Sequence, residues 1–431
     1  MKITNTSCGY AAEPLLAPFG FKGGYLSELW QVAARLECGD ICGIGPGIQS
    51  VLWSDAGVFA ANSQEAGNQM MYDMTRYALE CAKGMEFTTP FQLLNDLFPK
   101  VWAYGKKITG REDLRATFAL NALVPVDFAA WQLYGKLHNT ENILDLLSPE
   151  MAAPLAGKQE KLCSIPLVSY GLDTPAVKKL IDDGYFFLKV KIGSDPEKDG
   201  DPEKMLAWDM QRLTQIHEAA KDMQTPYTES GHIPYYLDAN GRYDSKDRLK
   251  RLLEHADKIG ALERIAILEE PFPEEYLEDV SDLPVRIAAD ESAHTAKDAE
   301  ERMDLGYKAI ALKPIAKTLS MTLQILQAAH LRNIPCFCAD LTVNPWMVDL
   351  NKNIAGRIDT LPGMKIGVLE SNGSQNYVNW DKMGTYHPCN GQWEAAPENG
   401  IYTADNIFYQ RSGGLFSASA YYDTLSKKET R

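Results

Sequence analysis

The 431-residue chain is predicted to be an α/β protein, a (β/α)-barrel preceded by an α+β domain. Three observations predict this. From about residue 162, short apolar runs alternate with helical stretches. Most of those runs end in a charged residue. The chain before them has a different order, with strands first and helices afterwards.

Taken in order, Pro14-Leu15-Leu16-Ala17-Pro18 and Phe21-Lys22-Gly23-Gly24-Tyr25 predict a small antiparallel sheet with a glycine-rich loop between strands. Gln69–Lys83 and Ala116–Leu133 carry apolar residues at helical spacing. The strand candidates of the second part are Ser164–Val168, Phe186–Ile192, Tyr235–Asp238, Ile265–Leu268, Arg286–Ala289, Ala309–Leu312, Pro335–Ala339 and Ile366–Leu369. Helical segments lie between them, among them Leu206–Met223, Ser245–Ile259, Ala296–Leu305 and Leu319–Leu331. A doubly wound open sheet is the alternative, but no GxGxxG or P-loop motif supports a nucleotide fold. The expected units are 1–150, 151–390 and a tail, 391–431, that packs back on the first. Within Ser194–Pro234, the run Asp195-Pro196-Glu197-Lys198-Asp199-Gly200-Asp201 reads as a solvated insertion.

Composition narrows the function. A formal charge of −15 argues against nucleic acid and anionic membranes as partners. No apolar run reaches the ~20 residues that span a bilayer. The start, Met1-Lys2-Ile3-Thr4-Asn5-Thr6, lacks the apolar segment of a secretory signal, so a cytoplasmic location is expected. The eight cysteines form no paired CxxC sets and are expected to be reduced core thiols.

The charged residues carry the chemistry. Leu188-Lys189-Val190-Lys191-Ile192 puts two lysines on one face of a strand. Tyr236-Leu237-Asp238-Ala239-Asn240, Ile267-Leu268-Glu269-Glu270-Pro271, Ala288-Ala289-Asp290-Glu291-Ser292 and Val368-Leu369-Glu370 each end a strand in a carboxylate. Ile310-Ala311-Leu312-Lys313-Pro314 ends in a lysine. The C-terminal ends of barrel strands converge on one mouth. One such residue is ordinarily a solvated loop residue; the ordered set is a site. Carboxylates brought together repel unless a cation lies among them, and hard oxygen ligands favour Mg²⁺, with Mn²⁺ a substitute.

The ordered set resembles the enolase superfamily, in particular its muconate-lactonizing-enzyme branch (the mandelate racemase/muconate lactonizing enzyme family). The resemblance implies a (β/α)-barrel of modified TIM type preceded by an α+β capping domain. It implies metal ligands at Asp238, Glu269 and Asp290, the first acid of the Glu269-Glu270 pair being chosen. It also implies catalytic lysines at Lys189, Lys191 and Lys313, and homo-oligomers. Lys191 is then expected to be the base on one face of a small carboxylate substrate, with Lys189 lowering its pKa or contacting the carboxylate. Lys313 serves the opposite face. Lys22 of the glycine-rich loop, Asn240 and Glu370 are expected substrate contacts.

The expected reaction is Mg²⁺-dependent abstraction of an α-proton through an enediolate, foremost racemisation or epimerisation of an amino-acid derivative or dipeptide. A cycloisomerase or lyase uses the same geometry. A Schiff-base aldolase would leave the carboxylates unexplained, and against a non-catalytic barrel every expected catalytic position is filled. Two departures from family patterns stand out. Ala339-Asp340-Leu341-Thr342 has no histidine, which speaks against acid-sugar dehydratases and mandelate-racemase-like members. Glu370-Ser371-Asn372 lacks the Asp-x-Asp associated with dipeptide epimerases.

Overall fold

A computed structural model describes residues 1–21, 24–389, 393 and 396–428. The chain opens with three antiparallel strands, β1 (Asn5–Phe21), β2 (Gly24–Cys38) and β3 (Ile41–Gln49). Two short helical turns, Val51–Ser54 and Ala56–Ala61, lead into α1 (Gln64–Ala82), α2 (Pro90–Thr109) and α3 (Ala116–Leu137). Caps set the helix ends: Ser63 accepts from Ala66 N, Thr89 accepts from Gln92 N, and Gly110 closes α2 in the left-handed conformation.

Glycine governs how this domain packs. β3 carries Gly43, Gly45 and Gly47 on the face that lies on α3. A Cβ at Gly45 would stand 2.0 Å from the Pro125 carbonyl oxygen, and one at Gly43 2.0 Å from that of Ala129. Strand and helix touch backbone to backbone, which only glycine permits. The polar residues buried in α3 are bonded. Asn121 accepts from Ser50 N at 2.9 Å, and Gln132 accepts from Ile44 N at 2.8 Å.

The second unit is built on a sheet of nine strands, the first of them in two segments. Its first strand, β4, comprises Lys161–Ile165 and Leu167–Val168 and is interrupted at Pro166, which has no N–H to give. There follow β5 (Leu188–Lys191), β6 (Tyr235–Asp238), β7 (Ile265–Glu269), β8 (Ile287–Ala289), β9 (Ala309–Leu312), β10 (Cys336–Cys338) and β11 (Gly367–Glu370). The first half of β4 pairs in parallel with β11 and its second half with β5. The change of partner at Pro166 closes the eight parallel strands into a barrel. Helices α4 (Thr174–Asp182), α5 (Pro202–Ala220), α6 (Lys246–Lys258), α7 (Ala296–Asp304), α8 (Leu319–Leu331) and α9 (Pro345–Ala355) follow their strands on the outside. β7 and β8 are joined without a long helix between them.

The alternation of side chains decides what enters the barrel. Tyr235 faces outward and bonds His217 of α5 at 2.9 Å, whereas Tyr236 points in and meets Phe337 edge to face at 5.5 Å. Within Ser194–Pro234, residues 195–200 are exposed or half-exposed, and the centre is α5, an ordinary barrel helix. In the tail, β12 (Ile401–Thr403) pairs antiparallel with β4, and α10 (Ala420–Ser426) lies on the three-stranded sheet, where Arg35 meets Asp423 at 2.6 Å. Among the described residues no helix is long and apolar enough to cross a membrane.

Candidate active site

Pairing register brings the charged strand ends together. Lys191 lies opposite Asp238, and Asp238 opposite Glu269, across β5, β6 and β7. Lys189 and Lys191 point inward with Asp238 and Glu269 because each pair of inward residues is two apart.

Lys189 is the centre of the cluster. Its Nζ stands 3.0 Å from each of Asp238 Oδ2, Glu269 Oε1 and Glu370 Oε2, and 4.7 Å above the Tyr236 ring. Burial alone would depress its pKa. The carboxylates of Asp238, Glu269 and Glu370 outweigh burial and hold it well above the ordinary lysine value. Lys191 donates to Asp238 Oδ2 and to Asn240 Oδ1, both at 2.6 Å. On the other side, Lys313 bonds Asp290 and lies 4.4 Å from the Trp53 ring centroid. Thus Lys191 holds the Asp238 edge of the cluster and Lys313 the Asp290 edge.

The carboxylates differ in their surroundings. Asp238 is buried, which would raise its pKa, but Lys189 and Lys191 bring it down to about 2. Glu269 is pushed up to about 7 by burial, against the pull of Lys189, with Asp290 adding to the rise. Its second oxygen accepts from the Tyr236 hydroxyl. Glu270 turns away from the cluster. At φ +41° it accepts from the backbone amides of Asp290 at 2.7 Å and Ser292 at 3.2 Å.

Two residues join the cluster without having been singled out from the sequence. Glu291 offers a carboxylate oxygen within 4.8 Å of oxygens from Glu269 and Asp290. Lys317, fully buried, lies 3.2 Å from Asp290 Oδ1 and donates to the Asp290 carbonyl at 2.6 Å. Strand alternation does not extend to either, because β8 ends at Ala289 and β9 at Leu312.

Glu269, Asp290 and Glu291 are thus the described acids whose oxygens come close enough to share one ion, and Asp238 borders them with its Oδ2 held by both lysines. This donor set fits a hard divalent cation. It consists of buried carboxylate oxygens from three adjacent side chains, the hard donors such an ion prefers. Asn240 (φ +46°) donates from Nδ2 to Glu291 Oε1 at 3.0 Å. Glu370 is engaged by Lys189 and by the Asp340 amide at 3.1 Å. Lys22 lies outside the described residues.

A cavity of about 50 Å³ stands over the cluster, roofed by Leu26, Leu29 and Trp53 of the first domain. Beside it runs a cleft of about 1060 Å³ between residues 111–116 and the barrel loops. Asn240 and Glu291 line both.

Residues 174–351 match the family model of enolase C-terminal domain-like proteins. No curated protein sequence matches the chain. Solved structures match over almost the whole length. A dipeptide epimerase from Enterococcus faecalis V583, solved with Mg and the dipeptide L-Leu-L-Tyr, is 17% identical with a TM-score of 0.64, covering 94% of this chain and 98% of its own. The L-Ala-D/L-Glu epimerase from Bacillus subtilis is 16% identical with a TM-score of 0.62, covering 88% and 92%. A mandelate racemase/muconate lactonizing enzyme from Roseiflexus sp. is 14% identical with a TM-score of 0.64, covering 93% and 94%. At these identities the likeness is one of fold.

Proposed function

We propose, on the premise that the chain belongs to the enolase superfamily in its muconate-lactonizing-like branch, that it abstracts the α-proton of a small carboxylate and returns one, racemising or epimerising an amino-acid derivative or dipeptide. One observation carries this reading: lysines from opposite sides of the barrel, Lys191 and Lys313, border one buried carboxylate cluster. The family model and the epimerases among the structural neighbours support an enzyme of this general reaction type.

Asp238, Glu269 and Asp290, with Glu291 beside them, would hold Mg²⁺. When bound, the cation supplies positive charge against the negative charge that develops on the substrate carboxylate, and it competes with the ammonium groups for the acids, favouring neutral lysine. The chain's own residues do the rest. Lys191 takes the α-proton from one face while Lys313 supplies one to the other, and the reverse reaction exchanges their roles. Asn240 holds the Lys191 Nζ in place. Leu26, Leu29 and Trp53 keep water from the site. Lys189, hemmed in by three carboxylates, stays charged and offsets their charge rather than serving as base.

The test is α-proton exchange in D₂O, followed by NMR, over N-acyl amino acids, dipeptides, proline derivatives, acid sugars and muconate-like lactones. Mg²⁺-dependent exchange of both configurations of one substrate is expected. In Lys191→Ala and Lys313→Ala proteins, each configuration should depend on a different lysine. Loss of water or ring closure would make the protein a lyase or cycloisomerase. Absence of both exchange and Mg²⁺ binding would end the proposal.

A further inference from the structure

Each lysine-bearing turn is tied down by a buried carboxylate that lies outside the site. Two residues after Lys191 the chain turns at Gly193, at φ +80°. Asp209, buried in α5, accepts the Gly193 amide on both oxygens, at 2.8 and 2.9 Å, and the Tyr243 hydroxyl at 2.7 Å. Tyr243 follows Asn240, the partner of Lys191, so this one carboxylate links the ends of β5 and β6. On the opposite side, the amides of Ala316 and Lys317 return to the Lys313 carbonyl at 2.9 and 2.7 Å, and Thr318 at φ +70° begins α8. Asp127, buried in α3 of the first domain, accepts the Ser320 amide at 2.9 Å and the Ser320 hydroxyl at 2.6 Å. The Trp131 indole holds the same hydroxyl at 3.0 Å.

The two anchors are alike in kind. Neither has a cation within ion-pairing distance among the described residues, so their hydrogen bonds go to backbone amides and hydroxyls of the turns. Burial pushes both carboxyls up to about 7. A buried carboxyl with no ion pair is a costly way to make a turn, whereas its bonds fix backbone position tightly.

We propose that Asp209 and Asp127 are positioning residues, one for each face of the substrate: Asp209 sets Lys191 through the Gly193 turn, and Asp127 sets Lys313 and Lys317 through the start of α8. This rests on the two-lysine reading above, but it makes its own claim, that the two faces are fixed by independent anchors on different elements.

The test uses the full-length protein with Mg²⁺ and isotope-labelled lysine, following the side-chain resonances of Lys191 and Lys313 by NMR. Lys191→Arg and Lys313→Arg assign them. Asp209→Asn and Tyr243→Phe should move the Lys191 resonance and leave that of Lys313 in place. Asp127→Asn and Ser320→Ala should do the reverse. The hydroxyl deletions leave both carboxylates present, so they decide the matter should an Asp variant fail to fold. Variants that move both resonances alike, or neither, overturn the proposal.

With any carboxylate that exchanges, Asp209→Asn should slow the configuration served by Lys191 by about tenfold or more, since small misplacements of a reacting group cost up to ~10²-fold, and spare the other. If Lys191→Ala and Lys313→Ala do not themselves separate the two configurations, the two-lysine reading fails. The resonance shifts still decide the anchors.

Discussion

Tyr236 is an aromatic residue with two duties. Its ring underlies Lys189, and its hydroxyl donates to the carboxyl of Glu269. Tyr236→Phe keeps the ring and removes the donor. It should weaken Mg²⁺ binding by about 10- to 100-fold, the usual effect of removing a partner that orients a metal-binding carboxylate; Glu269→Gln should abolish binding, and both are measured by calorimetric titration. The positioning carboxyls also have a pH signature. Asp127 and Asp209 have folded pKa values raised from an ordinary 3.8 to about 7 by burial. Their contribution is fully present below about pH 4. It is lost as pH rises towards 7, because the unfolded carboxyl ionises first, at up to ~1.4 kcal/mol per pH unit for each group. Urea melts at pH 4.5 and 7 should therefore show a smaller loss in Asp127→Asn than in the parent.

At the scale of elements, the β3–α3 contact depends on the alternate glycines Gly43, Gly45 and Gly47. Gly45→Ala places a methyl against the Pro125 carbonyl, where backbone on both sides prevents relief. A loss of roughly 3 kcal/mol is expected, at the upper end for overpacked sites, and is read from the denaturation midpoint. The barrel strands were far more legible. Each is a short apolar run, and the ends that bear the site close in lysine or carboxylate, so alternation places Lys189 and Lys191 on one face and the strand ends place Asp238 and Glu269 at the same mouth. Asp290 and Lys313 directly follow the last residues of β8 and β9, whereas Glu291 and Lys317 escaped because they stand further along, on turns whose direction no strand period gives. Asp127 and Asp209 escaped for another reason: each sits on a helix far from its partner in sequence, and no local pattern announces a contact across 193 or 16 residues.

On the scale of the whole molecule, the tail straps one unit to the other. It adds β12 beside β4, sets α10 on the sheet of β1–β3, and is held to α9 by a buried ionic group. Asp349 there meets Lys352 at 2.5 Å and His387, just ahead of the tail, at 3.0 Å, and Lys352 lies 4.7 Å from the ring centroid of Phe408 in the tail. Asp349→Ala would leave an ammonium group in the interior without that carboxylate, at a cost of ~3–5 kcal/mol. Replacing both residues together, Asp349→Leu with Lys352→Met, should cost far less. Thermal unfolding of the single and double variants distinguishes the two outcomes.

The roof over the strand ends has a different kind of consequence. The space over the cluster is bounded by both units, by Leu26, Leu29 and Trp53 from one and by the charged strand ends from the other. A substrate seated there would touch both, so loosening the packing of the first domain on the barrel should weaken substrate binding while every charged residue of the site stays in place.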